Sequence, residues 1–181
     1  LTSPGRLQKC GLWLIPVDHP DYEEKRALMA PLLEIDRDIH MDELPPLLAY
    51  HLQFLEVLSA CTVGKLNITT VEAKVQSVFN YTHIMQAMLD PGSILYANII
   101  FGKFLFNAVI EVELVIPGLE QSALLWKVLA SFEKVLLTGK AELDKLNKVG
   151  WQSPTVSRQK IEYMILAIQI IGGFFGRYFD P

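Results

Sequence analysis

The chain has 181 residues, 51% of them apolar and 20% charged, which excludes a disordered segment and is long enough for one substantial core. A net charge of −4 with no lysine or arginine block excludes the electrostatic footprint of a nucleic-acid binder. Two cysteines, Cys10 and Cys61, are too few for a disulfide framework, and Cys61, in an apolar helical stretch, reads as a reduced, buried thiol.

Residues 1–20 hold Pro4, Gly5, Gly11, Pro16 and Pro20 around a short apolar run and read as an N-terminal docking loop. Residues 21–181 read as one helical domain, and the opening at Leu1 without a methionine reads as a piece cut from a longer polypeptide. Asp21 opens a pattern with Tyr22, Leu28, Leu32 and Ile35 on one side, and Pro31 predicts a bend. Pro45 and Pro46 suit a first helical turn. In the helix that follows, Leu47, Tyr50, Phe54, Val57, Leu58 and Cys61 form one stripe, widened sideways by Leu48, Leu52 and Leu55, so the helix is expected to lie inside. Gly64 ends it, and Thr69 with Glu72 reads as a capping box before Val71, Val75, Val78 and Phe79. A short helix is expected from near Thr82 to Asp90-Pro91-Gly92.

From Ser93 to about Val115 the residues Ile94, Ala97, Phe101, Leu105, Ala108, Val112 and Val115 recur at helical spacing and predict one long helix. After Pro117-Gly118 the pattern resumes with Leu125, Val128, Leu129, Phe132, Val135 and Leu136, and a turn is expected near Gly139 or Gly150. Ser153-Pro154 is expected to cap a last helix with Ile161, Met164, Ile165, Ile168 and Ile171 on one face, weakened near its end by Gly172 and Gly173. No alternating run is flanked by hairpin turns, so the fold class is all-α: an armadillo- or HEAT-like helical repeat stack of roughly seven helices, with a compact bundle as the alternative.

Stretches 94–110 and 163–176 are the most apolar, but the first carries Lys103 and the second is too short for a span of about 18 residues or more, so neither is read as inserting into a membrane. The four histidines, His19, His40, His51 and His83, lack paired metal-ligand spacing, and His51 reads as a hydrogen-bonded, semi-buried side chain. Asp36, Asp38, Asp42 and Glu43 lack the spacing of a calcium loop and read as a solvated acidic loop. Gly139-Lys140 fails the phosphate-loop pattern and reads as a helix terminator. Glu111 and Glu113 point in different directions on a helix, and Phe101, Phe104, Phe106, Trp126 and Phe132 read as core. The sequons Asn67-Ile68-Thr69 and Asn80-Tyr81-Thr82 read as helix starts. The expectation is a non-enzyme with no catalytic, cofactor-binding or metal residue and no cofactor.

One stretch carries a longer pattern. Tyr50-His51-Leu52, Leu58, Ala60-Cys61-Thr62, Gly64-Lys65, Asn67, Glu72, Lys74, Ala97, Phe104-Leu105, Asn107, Glu111-Val112-Glu113 and Trp126 follow one another in the order and approximate spacing of a segment of the central cytosolic armadillo region of inositol trisphosphate receptors, which the stretch 50–126 resembles. The related ryanodine receptors share that architecture. The resemblance implies a scaffold segment of a homotetrameric intracellular calcium-release channel, on the cytosolic face of the endoplasmic reticulum or a related calcium store. It would contact other segments of the same polypeptide and neighbouring subunits, and relay motion from the ligand-binding region to the pore. The alternative from the residues alone is an armadillo or HEAT adaptor that holds a partner protein.

Overall fold

The structure, a computed structural model, describes residues 30–35, 37–63, 68–113, 115–150 and 156–179. The docking loop expected at 1–20, the apolar positions Tyr22 and Leu28, and the start of the bend expected at Pro31 lie outside them. Among the described residues there are seven α-helices and no strand, and they pack as the helical stack expected from the sequence. They are α1 (Ala30–Leu33), α2 (Pro46–Cys61), α3 (Ile68–Val78), α4 (Tyr81–Leu89), α5 (Leu95–Leu105), α6 (Ala123–Val149) and α7 (Arg158–Tyr178). Single 3-10 turns at Met41–Glu43 and Leu119–Gln121 punctuate the connections.

Local chemistry sets the ends. Pro46 starts α2, where its missing N–H has no intrahelical partner to lose. Asn80 caps α4, its side-chain oxygen accepting the Thr82 N–H at 2.9 Å. Ser122 caps α6 through the N–H of Leu125, and α6 runs unbroken through Gly139 to end at Gly150, whose φ of 80° suits a residue without Cβ. Of the two places expected for the turn, Gly150 takes it, and Gly139 serves a close approach instead: a Cβ there would collide with Met164 of α7. Ser157 caps α7 rather than Ser153, which lies outside the described residues, and the helix continues through Gly172 and Gly173 to Tyr178.

α5 is the central rod. It packs on α2, α4 and α7, and Ala97, Ile99, Ile100, Phe101, Phe104 and Leu105 are all buried, so almost its whole circumference is lined. α6 and α7 form the longest pairing, with Leu125, Val128 and Phe132 facing Tyr163, Leu166, Ala167 and Ile170 in the main core. A small satellite core of Leu146, Val156 and Ile161 closes the far end of that pair. Lys103 of α5 reaches Glu56 of α2 at 3.5 Å and Glu162 of α7 at 2.9 Å, tying the three helices on the surface.

Candidate functional site: a clasp at the end of the central helix

The periodicity of α5 predicts a helix to Val115, but the rod widens into a π-turn over Phe106–Ile110, closed by the Glu111 N–H on the Phe106 carbonyl at 2.7 Å, and stops there. A helix end leaves carbonyls without intrahelical donors. Here side chains from other helices supply them. The Thr62 hydroxyl, at the end of α2, lies between the Ser59 carbonyl of its own helix at 2.8 Å and the Asn107 carbonyl at 3.1 Å and shares its one proton between them, and Gln76 of α3 donates to the Ala108 carbonyl at 2.7 Å. Arg177 of α7 donates to the Val112 carbonyl and lies 3.4 Å from the Glu111 carboxylate, placing a cation where a helix end favours one.

Two further bonds lock the turn. The Asn107 side chain donates to the Ser59 hydroxyl at 3.0 Å, and the buried Glu72 carboxylate accepts the Glu113 N–H at 3.2 Å. Thr69 and Glu72 are thus not a capping box: Thr69 lies inside α3, and Glu72 turns across to another segment. Glu111 and Glu113 lie beyond the helix rather than on it as the periodicity predicts, and both are exposed. The residues brought together are Ser59, Thr62 and Glu72, which are buried, Gln76 and Asn107, which are half-buried, and Arg177 at the surface, a set of cross-links with no convergent acid, base and nucleophile. Thr62, Glu72 and Asn107 belong to the pattern quoted for 50–126; no local signal in the sequence marks Ser59, Gln76 or Arg177.

The acidic loop is a second departure from the sequence reading. Asp38 is not simply solvated: its carboxylate accepts the Arg158 N–H at 2.8 Å and the Ser157 hydroxyl, so it docks on the N-terminus of α7. Glu43 pairs with Arg37, whose guanidinium holds its carboxyl down at about 2. Asp36 lies outside the described residues. Next to this latch the buried Glu142 accepts the Ser157 N–H at 3.0 Å and Lys145 at 2.8 Å, with Lys160 at 3.8 Å. Burial pushes the Glu142 carboxyl up, but those bonds and the two lysine charges outweigh it and leave it below the ordinary range.

His51 differs from expectation as well. It is buried at 2% exposure with its edge against Phe79, and its Nε2 has no hydrogen-bond partner. Desolvation lowers its pKa from 6.5 to about 4. His40 is exposed, His83 is half-buried, and His19 lies outside the described residues. Among the described residues no three His, Cys, Asp or Glu side chains converge as a metal site, and no helix is long and apolar enough to cross a membrane.

The outer surface carries two apolar stripes. On α2 the residues Leu48, Leu52 and Leu55 form the buried face, while Leu47, Tyr50 and Val57 of the expected core stripe face outward and Cys61 is exposed. On α7, Ile161 and Met164 are buried, but Ile165 and Ile168 face outward beside Phe175 and Phe179. Phe101, Phe104 and Phe132 are core as expected, whereas Trp126 is 41% exposed, its indole N–H held by the Glu120 carbonyl at 2.8 Å. Comparison with known proteins finds no family model, no curated protein and no solved structure that matches the chain.

Proposed function

We propose that the chain is a non-catalytic cytosolic scaffold segment of a calcium-release channel of the inositol trisphosphate receptor type, relaying conformational change between ligand-binding and pore regions at the endoplasmic reticulum or a related store. The observation that carries this reading is the clasp. Thr62, Glu72 and Asn107, three polar residues of the resembling stretch, are used as internal cross-links between helices, 45 residues apart for Thr62 with Asn107 and 41 for Glu72 with Glu113. Polar groups spent in this way transmit displacement from α2 and α3 to α5 and α7, and none is presented to a ligand. The outward stripe of Leu47, Tyr50 and Val57 supports burial of α2 against further helices of the same polypeptide.

The isolated chain is expected to show no heat of binding with inositol trisphosphate, while microsomes carrying the full polypeptide release calcium when it is added. In that full polypeptide Glu72→Ala is expected to reduce release several-fold at unchanged inositol trisphosphate affinity. Micromolar binding by the isolated chain, or no evoked release from the whole polypeptide, would overturn the reading. A helical adaptor that holds a partner peptide on the α2 stripe is the second reading, favoured by the 61% exposure of Tyr50.

A further inference from the structure

α7 is apolar on two opposite faces. One face buries Leu166, Ala167, Ile170 and Phe174 in the main core. On the other, Ile165, Ile168 and Phe175, with Phe179 just past the helix end, are between 43% and 54% exposed. With Gly172 between them they fall at spacings of three and four, the spacing of a helix–helix seam. Trp126 of α6 extends the aromatic end, its ring centroid 6.0 Å from Phe175 and 6.3 Å from Phe179. A Cβ on Gly172 or on Gly176 would meet nothing within 4 Å, so the middle of the face is a shallow, open saddle. No charge falls on the chain from 163 to 176.

We propose that two copies of the chain pair antiparallel through this face of α7, with Gly172 on the two-fold axis. The face is self-complementary about that point. Antiparallel pairing about Gly172 sets Ile168 of each copy over Gly176 of the other, where there is no Cβ to displace, and sets Ile165 against the Phe179 and Trp126 end. Isologous contacts need this property, bulk at one end of a patch matched by space or apolar surface at the other. The α2 stripe lacks it, since Leu47, Tyr50, Phe54 and Val57 run without a small residue at their centre.

The area also suffices. At about half exposure the three aromatics offer roughly 100 Å² each and the two isoleucines somewhat less, so a pair covers about 900 Å² of apolar surface. With the surrounding glycine backbone, Gln169 and Glu162 the total reaches the roughly 1,000 Å² at which specific interfaces begin. An interface of this size gives a weak, reversible dimer. The pairing is a property of the chain itself and stands apart from the channel reading.

Sedimentation equilibrium of the 181-residue chain tests it. The expected result is a monomer–dimer equilibrium with a Kd on the order of 10 µM, weakened at least ~10-fold by Ile168→Glu and by Gly176→Leu at unchanged helical circular dichroism. Gly172→Cys, in a chain with Cys10 and Cys61 changed to serine, is expected to form a disulfide-linked dimer on mild oxidation. A wild-type chain that stays monomeric to about 100 µM overturns the proposal. So does a dimer indifferent to Ile168→Glu but abolished by Tyr50→Glu, which would place the contact on α2.

Discussion

His51 lies among Leu48, Leu52, Leu55 and Phe79 with a ring nitrogen that no neighbour satisfies. A buried polar atom in that condition costs about 1–3 kcal/mol, and proton uptake costs more because the charge would enter the same apolar surroundings. The direction of the pH effect follows from the folded value of about 4 against an ordinary 6.5. Between these limits the unfolded chain holds the proton and the folded chain does not. Stability from neutral His51 is therefore complete above pH 6.5 and is lost as pH falls toward 4, at up to ~1.4 kcal/mol per pH unit. His51→Leu is expected to raise stability at pH 7 by about 1–2 kcal/mol and to flatten that part of the acid limb. Urea midpoints of both proteins at pH 7, 5.5 and 4.5 decide it, the carboxylates common to both cancelling in the difference. Parallel pH profiles would mean that His51 has a partner in solution.

Among the elements, the end of α5 concentrates the cross-links, and Glu72 is the ionisable group buried deepest among them, at 2% exposure. Glu72→Ala leaves the Glu113 N–H without its acceptor and is expected to cost about 1–3 kcal/mol, whereas Glu72→Gln keeps a side-chain oxygen in place and is expected to lose less than half of that. Equal losses, measured by thermal unfolding, would show that the negative charge and not the hydrogen bond matters. Combined with Asn107→Ala the loss is expected to be less than additive, because both changes release the same turn. The early stop of α5 was not legible in the sequence: Val112 is buried and keeps the helical period, and the groups that take the orphan carbonyls come from Thr62, Gln76 and Arg177, far along the chain. Helix identity was legible wherever apolar spacing agreed with Pro46 or Gly150, while the Ser122 cap of α6 shows only in the structure. Facing was not legible for α2, whose apolar surface exceeds half the circumference. Periodicity alone cannot say which of two greasy sides turns inward, and here Leu48, Leu52 and Leu55 win over Leu47, Tyr50 and Val57. Gly139 and Asp38 were misread for the same cause: each answers to a partner in α7, Met164 for the glycine and the Ser157–Arg158 helix start for the aspartate.

At the scale of the whole molecule the described residues hold two cores of unequal size. The main one wraps α5, and the satellite of Leu146, Val156 and Ile161 joins only the end of α6 to the start of α7. The surface ties of Lys103 to Glu56 and Glu162 add little to the main core, since exposed ion pairs are worth about 1 kcal/mol or less. The satellite depends much more on polar groups: Glu142 with Lys145, Lys160 and Ser157, and Asp38 on the start of α7. Because the Glu142 carboxyl is held below its ordinary 4.5, its contribution is complete above that pH and is lost as pH falls through the lower folded value. Two cores joined through the length of α6 and α7 should not open at equal cost. Hydrogen exchange is expected to show residues 143–149 and the first turn of α7 opening as a unit, ahead of α5, and opening more often below pH 4.5. Leu146→Ala should speed that opening by roughly 30-fold, about 2 kcal/mol, while amides of α5 keep their protection. If α5 loses protection by the same factor, the satellite is part of one cooperative unit, and a displacement at the Asp38 latch would reach the clasp at the other end of α7 without being absorbed in between.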